Sequence, residues 1–92
     1  MKLRLTKTAA RQLDHVLTHL AAQHPPGARN VQESIREAMQ LLSRYPYAGQ
    51  ATGRRGVRRM VVSGYPYLLT YRVGDGEIVI RTVRHASQRP LA

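Results

Sequence analysis

The dipeptide Asp75-Gly76, set between Gly74 and Glu77 and flanked by two long alternating runs, constrains this chain more than any other feature. Asp-Gly between alternating apolar residues is a favoured two-residue hairpin signal of type I′, in which both central residues take positive φ. It predicts that residues 67–73 pair with residues 77–85. With Gly74 opposite Glu77, Val73 faces Ile78, Tyr71 faces Ile80, Leu69 faces Thr82 and Tyr67 faces Arg84. That side is almost wholly apolar and is the expected core face, with Glu77 on it at the strand's mouth. The other side holds Leu68, Thr70 and Arg72 beside Val79, Arg81, Val83 and His85. A slip of one residue would mix the two sets and carry arginines into the core.

Reading Ser63-Gly64-Tyr65-Pro66 as a four-residue loop adds a third strand, residues 57–63, with Val62 opposite Tyr67, Met60 opposite Leu69 and Arg58 opposite Tyr71. Arg59 then joins Thr70 on the outer face, near Arg72, Arg81 and His85, above an apolar floor of Val57, Val61, Leu68, Val79 and Val83. A simply solvated face would carry more Thr, Lys, Glu and Ser, so something is expected to cover this one. Either an RNA strand, whose phosphates meet the guanidiniums, or an apolar and acidic protein segment fits; a basic but idle face is the plain alternative.

Charge supports an acidic partner without choosing between the two. The chain has 15 Lys/Arg against 5 Asp/Glu, net +10, with pI near 11.3. Its first 53 residues carry 7 basic and 3 acidic groups, and its last 39 carry 8 and 2, so positive potential is denser on the strand half.

Ahead of the strands, residues 2–6 alternate, with Leu3 and Leu5 on one side, as in a half-buried strand. Thr6 or Thr8 can cap a helix in which Leu13, Val16, Leu17 and Leu20 form one stripe opposite Arg11, Gln12, His15 and His19. Pro25 disfavours helical geometry at His24, so the helix is expected to stop near Gln23 and His24-Pro25-Pro26-Gly27 to form the turn. A second helix over residues 28–43 places Val31, Ile35, Ala38 and Leu42 on one stripe, widened by Met39 and Leu41. Two such helices joined by a short turn lie antiparallel. Tyr45 and Tyr47 are expected to pack half-buried at the helix exit, and Ala51-Thr52-Gly53 to run irregularly. The expected fold is α+β: one domain, residues 1–92, with an N-terminal strand and an antiparallel helical hairpin packed on one face of an antiparallel three- to four-stranded sheet.

Few catalytic chemistries are supported. There is no cysteine, so neither a disulfide framework nor a thiolate metal site is available, and a cytoplasmic location is expected. No apolar run approaches a membrane span or a leader. His15 and His19 have a metal-like spacing, but only Asp14 stands near them, and they read as a polar helix face. No cofactor or metal is expected. Metal-free phosphodiester cleavage needs a base, an acid and cations for the developing charge. Arg81 can supply charge and His85 can titrate near neutrality, so these two are the only catalytic candidates; no carboxylate is placed to work with them.

The order of Pro46-Tyr47-Ala48-Gly49, Gly56-Val57-Arg58-Arg59-Met60-Val61-Val62, Tyr65-Pro66-Tyr67-Leu68-Leu69-Thr70-Tyr71-Arg72-Val73 and Ile80-Arg81-Thr82-Val83-Arg84-His85 resembles the RelE/ParE toxin superfamily of bacterial toxin-antitoxin systems over nearly the whole chain. The resemblance implies a small cytoplasmic toxin neutralised by a cognate antitoxin, typically acidic and partly disordered, in a toxin-antitoxin hetero-oligomer without membrane contact. It also implies two activities on one fold, ribosome-dependent cleavage of messenger RNA by RelE-like members and poisoning of DNA gyrase by ParE-like ones. Nucleases of the superfamily set a glutamate near the end of the second helix or a tyrosine near the C-terminus beside the basic face. Here the helix ends Leu41-Leu42-Ser43-Arg44, and no tyrosine follows His85. Tyr65-Pro66-Tyr67 and Arg84-His85 followed by Arg89-Pro90 look ParE-like, so gyrase inhibition by binding is the expected activity, with a RelE-type endoribonuclease as the alternative. The residues expected to contact the target are Arg58, Arg59, Arg72, Arg81, Arg84 and His85; those expected to contact the antitoxin are Val57, Arg59, Val61, Leu68 and Arg72.

Overall fold

A computed structural model describes residues 1–86. Strand β1 (Lys2–Leu5) leads into helices α1 (Lys7–Gln23) and α2 (Pro25–Arg44), followed by strands β2 (Gln50–Ala51), β3 (Val57–Val61), β4 (Tyr67–Gly74) and β5 (Glu77–His85). The strands form one sheet in the order β1-β5-β4-β3-β2, with β1 parallel to β5 and every other neighbour antiparallel. The class is the expected α+β, but the sheet is mixed and five-stranded rather than antiparallel with three or four strands. Ala51, expected to run irregularly, pairs with Arg58 at one edge, next to the Gln50–Arg59 pair.

The helical hairpin has almost no turn. His24 caps both helices: its N–H donates to the Leu20 carbonyl at 2.6 Å, and its Nδ1 accepts the Gly27 N–H at 3.0 Å. α2 therefore starts at Pro25, three residues before the expected Ala28. Proline is excluded from helix interiors but suits the first turn, where its fixed φ is helical and no N–H partner is required. At the other hairpin the turn differs from the expected type. Gly76 has φ of 70°, but Asp75 does not take a positive φ, so only one central residue is left-handed and the turn is not type I′.

Core packing is concentrated on one side of the sheet. Val31, Ile35, Ala38 and Leu42 of α2 and Ala9 of α1 meet Val62, Tyr67, Leu69, Tyr71, Ile78, Ile80 and Val83, with Leu3, Leu5, Leu13, Val16, Leu17, Leu20 and Met39 around them. Leu41, expected to widen the α2 stripe, is largely exposed instead. The helices cover a single face, and among the described residues nothing covers the other face of the sheet. No helix among the described residues is long and apolar enough to cross a membrane.

Candidate binding surface on the open sheet face

The open face follows from the strand registers, and one inserted residue decides its composition. β3 and β4 pair as the alternation predicts, with Arg58 opposite Tyr71, Arg59 opposite Thr70 and Met60 opposite Leu69. β4 and β5 also follow the predicted register from Gly74–Glu77 as far as Tyr71–Ile80. There the register shifts: Arg81 is passed over, and Thr70 pairs with Thr82, Leu69 with Val83, Leu68 with Arg84 and Tyr67 with His85. Such a bulge turns every later side chain of β5 to the opposite face from that expected. Val83 enters the core, almost fully buried, instead of flooring the outer face. Thr82 and Arg84 move to the open face. His85 leaves it and meets Tyr67 edge to face on the helix side, with ring centroids 5.4 Å apart.

The bulge is held from the N-terminal end of the chain. The Thr6 N–H donates to the Ile80 carbonyl at 2.9 Å, extending the contact between β1 and β5 by one bond, and the Thr6 hydroxyl donates to the Arg81 carbonyl at 3.1 Å. The same hydroxyl accepts the Ala9 N–H at 3.1 Å and so caps α1. Beyond this point β5 has no strand neighbour on its β1 side among the described residues, and the Val83 N–H donates to Gln12 Oε1 at 2.8 Å. Gln12, read from sequence as part of a polar helix face, thus satisfies a main-chain donor that the bulge would otherwise strand.

Three rows of side chains cross the resulting face. Val61, Leu68 and Arg84 form the first, Arg59, Thr70 and Thr82 the second, and Val57, Arg72, Val79 and Arg4 the third. The Thr70 and Thr82 hydroxyls are hydrogen-bonded to each other across the strands. Val61 is 63% exposed. Val57, expected to be available to a partner, is only 5% exposed, and the Arg72 side chain passes beside it, with Nε 3.8 Å from where a Cβ on neighbouring Gly56 would stand. Glu77 also lies on the open face, not the core-side face expected, because it alternates with buried Ile78; its carboxylate pairs with Arg4 Nε at 3.2 Å at the far end of β5.

Arg58 is already engaged on the helix side. Its Nη1 donates to the Gly49 carbonyl at 2.8 Å and the Tyr47 carbonyl at 3.4 Å, and its guanidinium lies 5.1 Å from the centre of the Tyr47 ring. It ties down the segment after α2, where Tyr45 and Tyr47 are exposed rather than half-buried. Of the six residues expected to meet the target, Arg59, Arg72 and Arg84 therefore share the open face. Arg81 is the half-buried inserted residue, and Arg58 and His85 belong to the helix side. His15 and His19 stack with ring centroids 6.3 Å apart on the exposed side of α1. Arg89 and Pro90, which contribute to the family resemblance, lie outside the described residues.

Comparison with known proteins agrees with this architecture. A solved chain from the chromosomal ParDE toxin-antitoxin system of P. aeruginosa is 27% identical, with a TM-score of 0.81 over 95% of this chain and 97% of that one. The isolated E. coli RelE toxin, 15% identical with a TM-score of 0.69 over 96% of this chain and 86% of its own, shares the fold. So does a YoeB/ParE toxin from Agrobacterium tumefaciens, 17% identical with a TM-score of 0.65 over 92% and 98%. A curated relative from Sinorhizobium fredii, named "Putative toxin Y4kP", is 31% identical over 88 residues, which is 96% of this chain and 91% of that protein. Residues 3–90 match the family model described as the ParE toxin of the type II toxin-antitoxin system parDE. The chain belongs to the ParE toxin family of type II toxin-antitoxin systems.

Proposed function

We propose that this toxin inhibits DNA gyrase by binding, through the open sheet face, and that an acidic antitoxin encoded beside it neutralises it in the cytoplasm by covering the same face. The observation that carries the reading is the composition of that face. Arg59, Arg72 and Arg84 stand around Val61, Leu68 and the Thr70–Thr82 pair, while the His85 imidazole lies against Tyr67 on the other side of the sheet. A surface of arginines can attract and orient a partner. General acid-base catalysis needs in addition a proton acceptor within reach of the reacting hydroxyl. Glu77, one row beyond Arg72 on the same face, has its carboxylate held by Arg4 at the opposite end of β5 from Arg84. Arg59, Val61, Leu68 and Arg72 are the contacts proposed for the antitoxin. Arg81 borders the target surface, and Val57 contributes from beneath Arg72.

The test uses purified toxin with gyrase and relaxed plasmid, and separately with translating ribosomes and message. Loss of supercoiling with accumulation of cleaved DNA is expected. Codon-positioned RNA cuts with unaffected gyrase would overturn the reading in favour of a RelE-type endoribonuclease. Addition of the protein encoded by the adjacent reading frame is expected to restore supercoiling, and R59A/R72A is expected to weaken its capture of the toxin.

A further inference from the structure

We infer that the open sheet face is also a docking surface for the phosphate backbone of duplex DNA, so that the toxin holds DNA by itself, with no other protein present. This adds a ligand to the surface named above and does not depend on gyrase being the target.

Three features carry the inference. The first is the disposition of the cations. Arg84, Arg59 and Arg72 occupy successive rows on β5, β3 and β4. With strands about 4.8 Å apart and rows about 6.8 Å apart, the Arg59 and Arg72 Cα atoms stand roughly 8 Å apart, and those of Arg59 and Arg84 roughly 12 Å. Side chains as long as arginine bridge such distances to phosphates along one strand, which recur about every 3.4 Å of helix axis. The second is hydrogen bonding. The Thr70 and Thr82 hydroxyls lie between these arginines, and Ser or Thr hydroxyls are common phosphate ligands.

The third feature separates duplex from single strand. Sequence-tolerant binding of single strands uses aromatic rings as stacking platforms. The chain has five Tyr and neither Phe nor Trp, and none of the tyrosines is on this face. Tyr67 and Tyr71 point into the core and Tyr65 packs against it. Tyr45 and Tyr47 lie in the segment after α2, the latter against Arg58 on the helix side. A cationic face with hydroxyls and no rings suits an outward-facing backbone whose bases are already stacked.

Because net charge alone attracts nucleic acid, the experiment compares two sets of charge deletions. Binding of a labelled duplex is followed by fluorescence anisotropy across a salt series. Three phosphate contacts predict a slope of log affinity against log salt of about −2.7, or about a 40-fold loss from 50 to 200 mM salt. Each of R59A, R72A and R84A is expected to remove about 0.9 from the slope. The triple variant R11A/R29A/R36A removes equal charge from the exposed helix surface and is expected to leave the slope within about 0.5 of the parent's. An R59K/R72K/R84K variant keeps the charge and is expected to keep the slope, which guards against loss through misfolding. An equal fall in slope for the helix set would overturn the inference. So would a single-stranded RNA of the same length that binds more tightly than the duplex through the same three arginines.

Discussion

Gly49→Ala is expected to be among the most damaging single-methyl additions in this fold. Gly49 is buried where the chain passes from α2 into β2, and its N–H donates to the Tyr71 hydroxyl at 2.9 Å. A Cβ there would stand 2.5 Å from that hydroxyl, 2.7 Å from Tyr71 Cε1 and 2.7 Å from the Arg59 carbonyl oxygen. None of these can easily withdraw. Tyr71 is fully buried on β4, in the centre of the sheet, and Arg59 is on β3, paired on both sides. Overpacking costs about 1–3 kcal/mol, and breaking the Gly49–Tyr71 bond in a buried site about 1–3 kcal/mol more. The sum, about 2–6 kcal/mol, is a large part of the roughly 5–14 kcal/mol expected for a domain of this length. Urea unfolding followed by far-UV circular dichroism would measure it. Tyr71→Phe alone should cost about 1–2 kcal/mol, since it removes only the hydroxyl and leaves the Gly49 N–H unmatched. Combining the two should cost at least about 1 kcal/mol less than the sum, because removing the hydroxyl removes part of the clash. A cost below about 0.5 kcal/mol for Gly49→Ala, or full additivity with Tyr71→Phe, would refute this close approach.

Gln12→Leu keeps the bulk of the side chain but leaves the half-buried Val83 N–H without its acceptor; a loss of about 1–2 kcal/mol in unfolding free energy is expected, with faster hydrogen exchange at Val83. His24→Ala removes the acceptor for the Gly27 N–H at the start of α2 and should cost about 1 kcal/mol, seen as a fall in melting temperature of about 4–8 °C. Glu77→Gln breaks the exposed pair with Arg4 and should change stability by less than about 0.5 kcal/mol, a small effect against which the first two can be judged. His85→Ala deletes the edge-to-face contact with Tyr67 and should cost about 0.5–1.5 kcal/mol; no measurable loss would mean that this ring does not pack on the helix side.

Local rules carried the reading of this sequence as far as they apply. The apolar stripes of both helices, the strand pairing up to Tyr71–Ile80 and the placement of Arg59 beside Thr70 follow from periodicity and turn position. Gln50 and Ala51 escaped notice because two residues have no period to detect. α2 starts earlier than the apolar stripe suggests because Pro25, which breaks the preceding helix, is also a good first residue for the next. The bulge at Arg81 had no local signal. Its anchors, Thr6 and Gln12, lie 75 and 71 positions away in sequence, and nothing in strict alternation says that a residue is passed over. Periodicity was therefore right for one half of β5 and inverted for the other, and the inverted half held the candidate catalytic histidine.

That inversion changes the chemistry assigned to the face more than its charge. In an unbulged β5 the open face would hold Arg81, Val83 and His85, an arginine beside an imidazole, which is part of what RNA cleavage requires. With the bulge, the same strand presents Thr82 and Arg84 and turns Val83 and His85 toward the helices. The exchange is favourable on burial grounds, since Val83 is almost fully covered where the unbulged pairing would have put Thr82 opposite Leu69. Burying an isopropyl group in place of a hydroxyl avoids the cost of desolvating a polar atom in the core. The two bonds from the first turns of the chain then meet the main-chain groups that the extra residue displaces, so the bulge leaves neither the Arg81 carbonyl nor the Val83 N–H unmatched. Core packing thus fixes which side of β5 faces outward, and the outward side keeps one guanidinium, Arg84 for Arg81, and gains a hydroxyl in place of an imidazole. A face of that composition is suited to holding anionic groups in position rather than to moving protons among them.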